Sequence, residues 1–303
     1  MDRKASPSVT VIIPSIGRDS LARAVTSVRE QRFAGPVELI VVFDLPEDPD
    51  RDLPDADIIL WTGGGKRGSA ARNLGVRRAA GDLIAFLDDD DEWFSSKLEA
   101  QVALALRQSS SNVVVSSRHV HHSHGSDSSA CPTHIFDGKQ SLDHYLFVRR
   151  RPGGGRASMY TSSLMCTREL AQEVPWDESL RRHQDWDWLL RASARDDCQV
   201  VQAPEPLLRI HLGSLGSISA SNDWKSSLAW ATGSSSLLST KARADFLAGQ
   251  TLRYALGARS LRGAAATISA IVSNKRTPSP SVMAIAIAGL LPRKVIERLM
   301  QSI

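Results

Sequence analysis

Short apolar runs, each stopped abruptly and followed by a helical pattern, constrain the fold of this chain more than any other feature. They occupy residues 9–13 closing on Pro14, 37–43 closing on Asp44, 58–61, and 83–87 closing on Asp88. Runs of this length are apolar on both faces when extended, which reads as buried strands. Between the first two, Leu21, Ala24, Val25 and Val28 recur at helical spacing to about Gln31, with Asp19 or Ser20 as a cap. A second helix is expected from about Ser69 to Ala80. Apolar strands alternating with helices specify an α/β fold, a Rossmann-like and mostly parallel sheet covered on both faces. Such sheets bind ligands beyond the carboxyl ends of their strands. Pro14, the turn Ser15-Ile16-Gly17-Arg18, Asp44, a glycine turn and the acids from Asp88 all fall at that edge.

The fourth run ends in Asp88-Asp89-Asp90-Asp91-Glu92-Trp93. Four adjacent carboxylates repel one another unless a cation sits among them. Mg²⁺ or Mn²⁺ is the natural occupant, being a hard ion that takes carboxylate oxygens and keeps phosphate oxygens as co-ligands. A solvated acidic loop is the alternative, but the direct fusion to a buried strand on one side and to Trp93 on the other favours the metal.

Composition bounds the remainder. A chain of 303 residues with 42% apolar content buries a full core. Its three cysteines, Cys131, Cys166 and Cys198, are odd in number and far apart, which argues against a disulfide framework and for a reducing compartment. The polar first residues read as no signal peptide, and no apolar stretch reaches the ~18–20 residues that span a bilayer. A cytoplasmic protein is expected. The net charge of +4 conceals an asymmetry: residues 241–303 carry +8 and the preceding 240 residues −4. A basic helical tail suits an anionic surface. Within it the apolar stretch 281–291, flanked by Arg293, Lys294 and Arg298, reads equally as an interfacial helix on anionic lipid or as a helix packed on the body or forming a dimer.

The middle of the chain is less regular. A strand is expected over 112–117, and residues 119–134, with His119, His121, His122, His124 and His134, read as a flexible polar loop whose spacing fits no standard zinc pattern. Pro152-Gly153-Gly154-Gly155 reads as a hinge, 158–167 as a returning strand, and His183-Gln184-Asp185-Trp186 as the start of a helix with an acidic first turn.

Gly63-Gly64-Gly65-Lys66-Arg67-Gly68 matches the G-x-G-x-x-G dinucleotide fingerprint, with Asp88 20 residues beyond Gly68. Two features weaken that match. Four carboxylates would repel a cofactor's phosphates, and Lys66, Arg67 and Arg72 supply more cations than a turn relying on backbone N–H groups needs. The same turn suits a cationic cradle for a diphosphate.

Taken in order, Val9 to Pro14, Val41-Val42-Phe43-Asp44, Gly68-Ser69-Ala70-Ala71-Arg72-Asn73-Leu74-Gly75 and Phe86-Leu87-Asp88-Asp89-Asp90-Asp91-Glu92-Trp93 resemble the inverting family 2 nucleotide-sugar glycosyltransferases of GT-A fold. The resemblance continues through Thr161-Ser162-Ser163-Leu164-Met165, Trp176-Asp177-Glu178 and Gln184-Asp185-Trp186-Asp187, covering roughly 8–211. It implies that Asp44 contacts the donor base, that Asp88 and Asp90 hold metal and donor, and that Asp185 is the catalytic base. Pro14, Ser15, Lys66, Arg72 and Asp89 are expected on the donor side, and Asp91, Trp93, Gln184 and Trp186 on the acceptor side. Two departures stand out: Asp44 is followed by Leu45-Pro46-Glu47-Asp48 instead of Gly-Ser-Thr, and Gln184 replaces a Glu.

The resulting expectation is a catalytic domain over 1–221, its nucleotide-sugar half about 8–118 and its acceptor half about 119–221, followed by a basic helical extension over 222–303. It is expected to be a Mn²⁺- or Mg²⁺-dependent inverting transferase. The donor would be UDP-linked, the acceptor a saccharide or lipid-linked hydroxyl in polysaccharide or glycolipid synthesis, with no nucleic-acid partner. The protein would lie in the cytoplasm, peripheral on the inner face of the membrane. An NAD-dependent oxidoreductase built on the glycine turn and a non-catalytic nucleotide-sugar binding protein are the rival readings.

Overall fold

The computed structural model describes residues 6–123, 125–149, 157–212, 221–233 and 237–290. Two compact units are present: Met1–Asp137 with Met159–Ser179 and Gln184–Ser214, and Gly138–Ser158 with Leu180–His183 and Leu215–Ile303. Residues 138–158 and 180–183 thus belong with the C-terminal helices, although they precede 221.

The first unit is built on one sheet. Strands β1 (Val9–Ser15), β2 (Val37–Phe43), β3 (Ile58–Trp61) and β4 (Leu83–Phe86) form its parallel part in the order β3-β2-β1-β4. These are the four apolar runs read from the sequence, and β1 and β4 are wholly buried. Helices α1 (Leu21–Arg29) and α2 (Arg67–Arg78) make the crossovers that parallel pairing requires. Gly75 lets α2 close on β1, since a Cβ there would meet Ile12 Cγ2 at 2.6 Å.

Beyond β4 the sheet continues with β8 (Met165–Thr167), β6 (Asn112–Ser123), β9 (Cys198–His211) and β5 (Glu92–Trp93), while β7 (Ser126–Asp127) pairs with β6. Here β4 meets β8, β8 meets β6 and β5 meets β9 in antiparallel sense, and only β6 and β9 run parallel. Helices α3 (Lys97–Ala105), α5 (Arg168–Glu173) and α6 (Gln184–Ser193) belong to the same unit.

Two expectations change, and the returning strand expected over 158–167 is confined to Met165–Thr167, preceded by a 3₁₀ turn at Thr161–Ser163. The stretch 119–123 is strand, not loop: Val120, His121 and His122 register with Arg209, Ile210 and His211 of β9. Pairing overrides its polar composition, with register shifts after Ser117 and Arg118 absorbing the irregularity. Strand β9 itself carries no sequence signal, because Pro204 and Pro206 interrupt any alternation. His124, the glycine hinge at 152–155 and the basic residues after 290 lie outside the described residues.

The second unit is helical: α4 (Leu142–Phe147), α7 (Trp224–Thr232), α8 (Thr240–Phe246), a π-helical segment at Leu247–Leu252, α9 (Arg253–Gly257), α10 (Leu261–Ser273) and α11 (Pro280–Ala288). Helix α11 buries Val282 and Ala286 while leaving Ile287 59% exposed. Helix α11 thus packs one face within the helical unit and leaves the opposite face open. No helix of the described residues is long and apolar enough to cross a membrane.

Candidate active site

The carboxyl ends of β1, β2, β3 and β4 converge as the apolar runs require, and the four acids after β4 alternate in fate. Asp89 and Asp91 are buried, at 2% and 5% exposure. Asp89 accepts from Ser15 Oγ at 2.7 Å, from Ile16 N at 3.3 Å, and from the Arg18 guanidinium, anchoring the acidic turn to the end of β1. Asp91 accepts from Ser162 Oγ at 2.5 Å and from His211 N at 3.3 Å, which ties it to the 3₁₀ turn Thr161–Ser163 and to β9. Burial, then the charges of Asp88 and Asp90, push its carboxyl well above the usual range. Asp88 and Asp90, two residues apart, stay partly open, with side chains 34% and 22% exposed.

This alternation moves several expected site residues into supporting roles. Asp91 faces inward, its carboxylate taken up by Ser162 Oγ and the His211 N–H. Trp93 is likewise core, 3% exposed, its indole N–H donating to Ser162 O at 2.8 Å and its ring under Lys97 Nζ at 4.0 Å. Pro14 and Ser15 are buried at the end of β1, and Ser15 acts through Asp89. Trp188 is core, stacked on Trp176 at 5.2 Å between centroids.

Asp44 anchors the glycine turn. It accepts from Thr62 Oγ1 at 2.5 Å and from the backbone N–H groups of Lys66 and Arg67 at 2.8 and 2.6 Å. Burial works against its ionised form, but these hydrogen bonds outweigh burial and hold the carboxyl below its ordinary range. The bonds to Lys66 and Arg67 cap the start of α2, and Gly63, Gly64 and Gly65 all take positive φ, a turn that β-carbons would strain. Lys66 is exposed at its rim.

Arg72 is buried, at 6% exposure, and bridges the two ends of the site. Its Nη2 lies 2.5 Å from Asp88 Oδ1, its Nη1 donates to Gln184 Oε1 at 3.4 Å, and its guanidinium covers the Trp176 ring at 4.8 Å. The next residue, Asn73, donates to Trp176 O and Glu178 and accepts from Trp176 N, so the α2 start and the Trp176-Asp177-Glu178 segment form one clamp. Asp185, half-buried at the start of α6, accepts from Trp186 N at 2.9 Å, with Trp186 itself half-buried. Burial is the largest influence on its carboxyl and lifts it to about 6. The Trp186 N–H and Arg72 oppose the rise, and Asp88 adds to it. A place in the first turn of a helix favours the ionised form; desolvation wins instead.

Sequence reasoning gave no role to Arg18 or Ser162, though both lie in stretches it singled out, and missed Arg23, Thr62 and His211. Arg18 reaches Asp89 and stands 3.9 Å from Asp90, and Arg23 Nη2 donates to Asp90 O at 2.9 Å. Their signal was position alone, just beyond the β1 strand end. Asp88 and Asp90 offer hard carboxylate oxygens with part of their surface open, which fits an ion such as Mg²⁺ or Mn²⁺ that takes one or two carboxylates and completes its shell with phosphate oxygens.

The sequence model of glycosyl transferase family 2 matches residues 10–160, about half of the chain. The chain belongs to glycosyl transferase family 2. The family segment takes in β1 from Thr10 onward, β2, β3, β4 and the acidic turn. Among relatives, the amylovoran biosynthesis glycosyltransferase AmsB of Erwinia amylovora is 32% identical over 167 residues, 54% of this chain and 53% of AmsB. The UDP-Glc:alpha-D-GlcNAc-diphosphoundecaprenol beta-1,3-glucosyltransferase WfgD of Escherichia coli is 36% identical over 105 residues, 33% of this chain and 41% of WfgD. The chain thus matches about half the length of these relatives, or less. Among solved structures, S. aureus TarS 1-349 in complex with UDP-GlcNAc superposes with a TM-score of 0.59 at 15% identity, covering 93% of this chain and 88% of TarS 1-349. The mannosyltransferase PcManGT from Pyrobaculum calidifontis, in complex with GDP-Man and Mn²⁺, gives 0.50 at 15% identity, covering 99% and 85%. The fold is the GT-A type.

Proposed function

We propose that this glycosyltransferase moves a sugar from a nucleotide-diphosphate sugar, UDP-linked, to an acceptor hydroxyl with inversion, in the synthesis of a cell-surface polysaccharide or glycolipid. The observation that carries this reading is Asp185, its carboxyl raised to about 6 beside the Arg72–Asp88 pair at the ligand edge of the sheet. A general base works best with a pKa near the operating pH, and such a carboxyl is ionised at neutral pH yet basic enough to take a hydroxyl proton. Asp88 and Asp90 would hold the divalent ion, which supplies positive charge against the departing diphosphate. Arg72 keeps Asp88 in place and ties it to Gln184 beside the base, so donor and acceptor halves share one rigid link. Asp44 shapes the glycine turn that would meet the donor's nucleotide. The relatives' polymer and lipid-diphosphate chemistry and the UDP-GlcNAc of TarS support the substrate class.

The oxidoreductase reading loses ground on topology. A dinucleotide fingerprint follows the first, central strand, whereas this glycine turn follows β3 at the edge of the sheet.

The C-terminal unit supports a peripheral attachment to anionic lipid. Leu261 and Val272 on α10 are 88% and 71% exposed, Leu290 beyond α11 is 60% exposed, and Arg262, Lys275 and Arg276 lie in the same stretch. Co-sedimentation of the full chain with vesicles, with and without anionic lipid, tests this; absence from both pellets refutes it.

The test of the main reading is a panel of UDP- and GDP-sugars offered with Mn²⁺ or EDTA and an undecaprenyl-diphosphate-linked acceptor. It is followed by nucleotide release and by NMR of the product's anomeric configuration. Release that requires metal, with an inverted product, supports the reading. Full turnover in EDTA or a retained configuration refutes it.

A further inference from the structure

The polar stretch after β6 holds a second constellation that the transfer reaction does not use. His119 and His121 are two residues apart on β6 and therefore on one face of the sheet. Cys131 is brought opposite His119 by a two-way backbone pair, His119 N to Cys131 O and Cys131 N to His119 O, both at 2.7 Å. Residues exchanging both bonds in an antiparallel pair put their side chains on the same face. The three side chains thus converge, and one ligand atom from each lies within 4.8 Å of the others.

The buried member is unsatisfied. His119 is 1% exposed, and neither ring nitrogen has a hydrogen-bond partner among the described residues. A buried polar group left alone costs about 1–3 kcal/mol, so a histidine with two empty nitrogens, edged by the His121 and Tyr160 rings at 4.9 and 4.7 Å, asks for an explanation. Among the described residues the Cys131 sulfur has only a long contact, 3.6 Å to Ser129 O. Arg118, on the opposite face, pins the backbone of this segment by donating to Ala130 O at 2.7 Å and Pro132 O at 3.0 Å, so Cys131 is held in place whatever fills the site.

We propose that His119, His121 and Cys131 form a site for a borderline-soft divalent cation, Zn²⁺ by its donor set, apart from the acidic strand end. Two imidazoles and a thiolate match zinc and disfavour the hard ions expected at Asp88 and Asp90. Bond lengths of about 2.0 Å to nitrogen and about 2.3 Å to sulfur separate tetrahedral donors by roughly 3.3–3.6 Å, so the side chains need draw in by at most roughly 1.5 Å. His121 and Cys131 are partly exposed, which leaves an entry path and a fourth position for water. The ion would replace an orphaned histidine by a staple joining β6 to the segment 129–132. Through Tyr160, which leads directly into the turn carrying Ser162, that staple borders the support of Asp91.

The full-length protein, stripped with chelator under a phosphine reductant, is titrated with Co²⁺ and then Zn²⁺. The expected result is one equivalent showing a thiolate-to-cobalt charge-transfer band and the intense visible bands of a four-coordinate centre, displaced by Zn²⁺. Cys131→Ser abolishes the charge-transfer band. His121→Asn weakens Zn²⁺ binding at least tenfold, and Cys198→Ser leaves both unchanged. Circular dichroism confirms that each variant is folded, and the two independent ligand variants keep the test open should one not be. No thiolate band in the wild-type protein, or a band that survives Cys131→Ser, overturns the site.

Discussion

Replacing Asp185 by Asn separates a catalytic base from a helix cap because the two readings predict opposite changes in stability. A cap lost from a helix start costs ~1 kcal/mol at any pH where it is ionised. Asp185, however, is raised from 3.8 to about 6 on folding, chiefly by burial. The folded state then binds the proton more tightly than the unfolded chain, so stability falls as pH rises from about 4 to about 6 and is level above. The shift of roughly 2 units at about 1.4 kcal/mol each places the full effect near 3 kcal/mol, of which up to ~2 kcal/mol develops between pH 4.5 and 7.5. Asp185→Asn removes this slope. Urea denaturation of both proteins across that range is expected to show the variant gaining about 1–2 kcal/mol on the wild type as pH rises. Transfer should fall by roughly 10²-fold or more, and wild-type kcat/KM should drop about tenfold per pH unit below about 6. Asp187→Asn serves as the comparison: its carboxylate pairs with Arg191 at 2.7 Å, so that variant should lose a little stability and keep most activity. Parallel pH–stability curves for wild type and Asp185→Asn, or near-normal turnover in the variant, would refute the argument.

Other substitutions probe the remaining parts of the site. Asp90→Asn should abolish the rise in melting temperature that Mn²⁺ gives together with a nucleotide diphosphate, measured by calorimetry, while leaving the metal-free melting temperature within a few degrees. Asn73→Ala removes three hydrogen bonds that clamp Trp176 and Glu178 and should cost about 2–3 kcal/mol in urea denaturation; a loss below about 0.5 kcal/mol would show the clamp to be idle. Lys97 is fully buried, with its amine against Gln101 and the Trp93 ring, and burial holds it well below its ordinary range. Lys97→Met should therefore raise the melting temperature, and a fall of several degrees would reveal a requirement for the amine.

The sequence by itself determined the parallel half of the sheet. Each of the runs at β1, β2, β3 and β4 is apolar on both faces, and only a strand between two helical layers satisfies that, so composition and order sufficed. It likewise determined that acids, glycines and Asp44 share one edge, because that edge follows from strand direction. Tertiary structure decided which of the acids are open. Asp88 and Asp90 remain accessible while Asp89 and Asp91 turn inward, because partners more than 70 residues away in the chain, Ser15 and Ser162, claim the latter two. The inward turn of Trp93 and the extension of β6 through its histidines both depend on β9, a strand with two prolines and no alternation of its own. The raised carboxyl of Asp185 belongs to the same class: local sequence supplies a helix start that would lower it, and burial, which only the folded chain creates, reverses the sign.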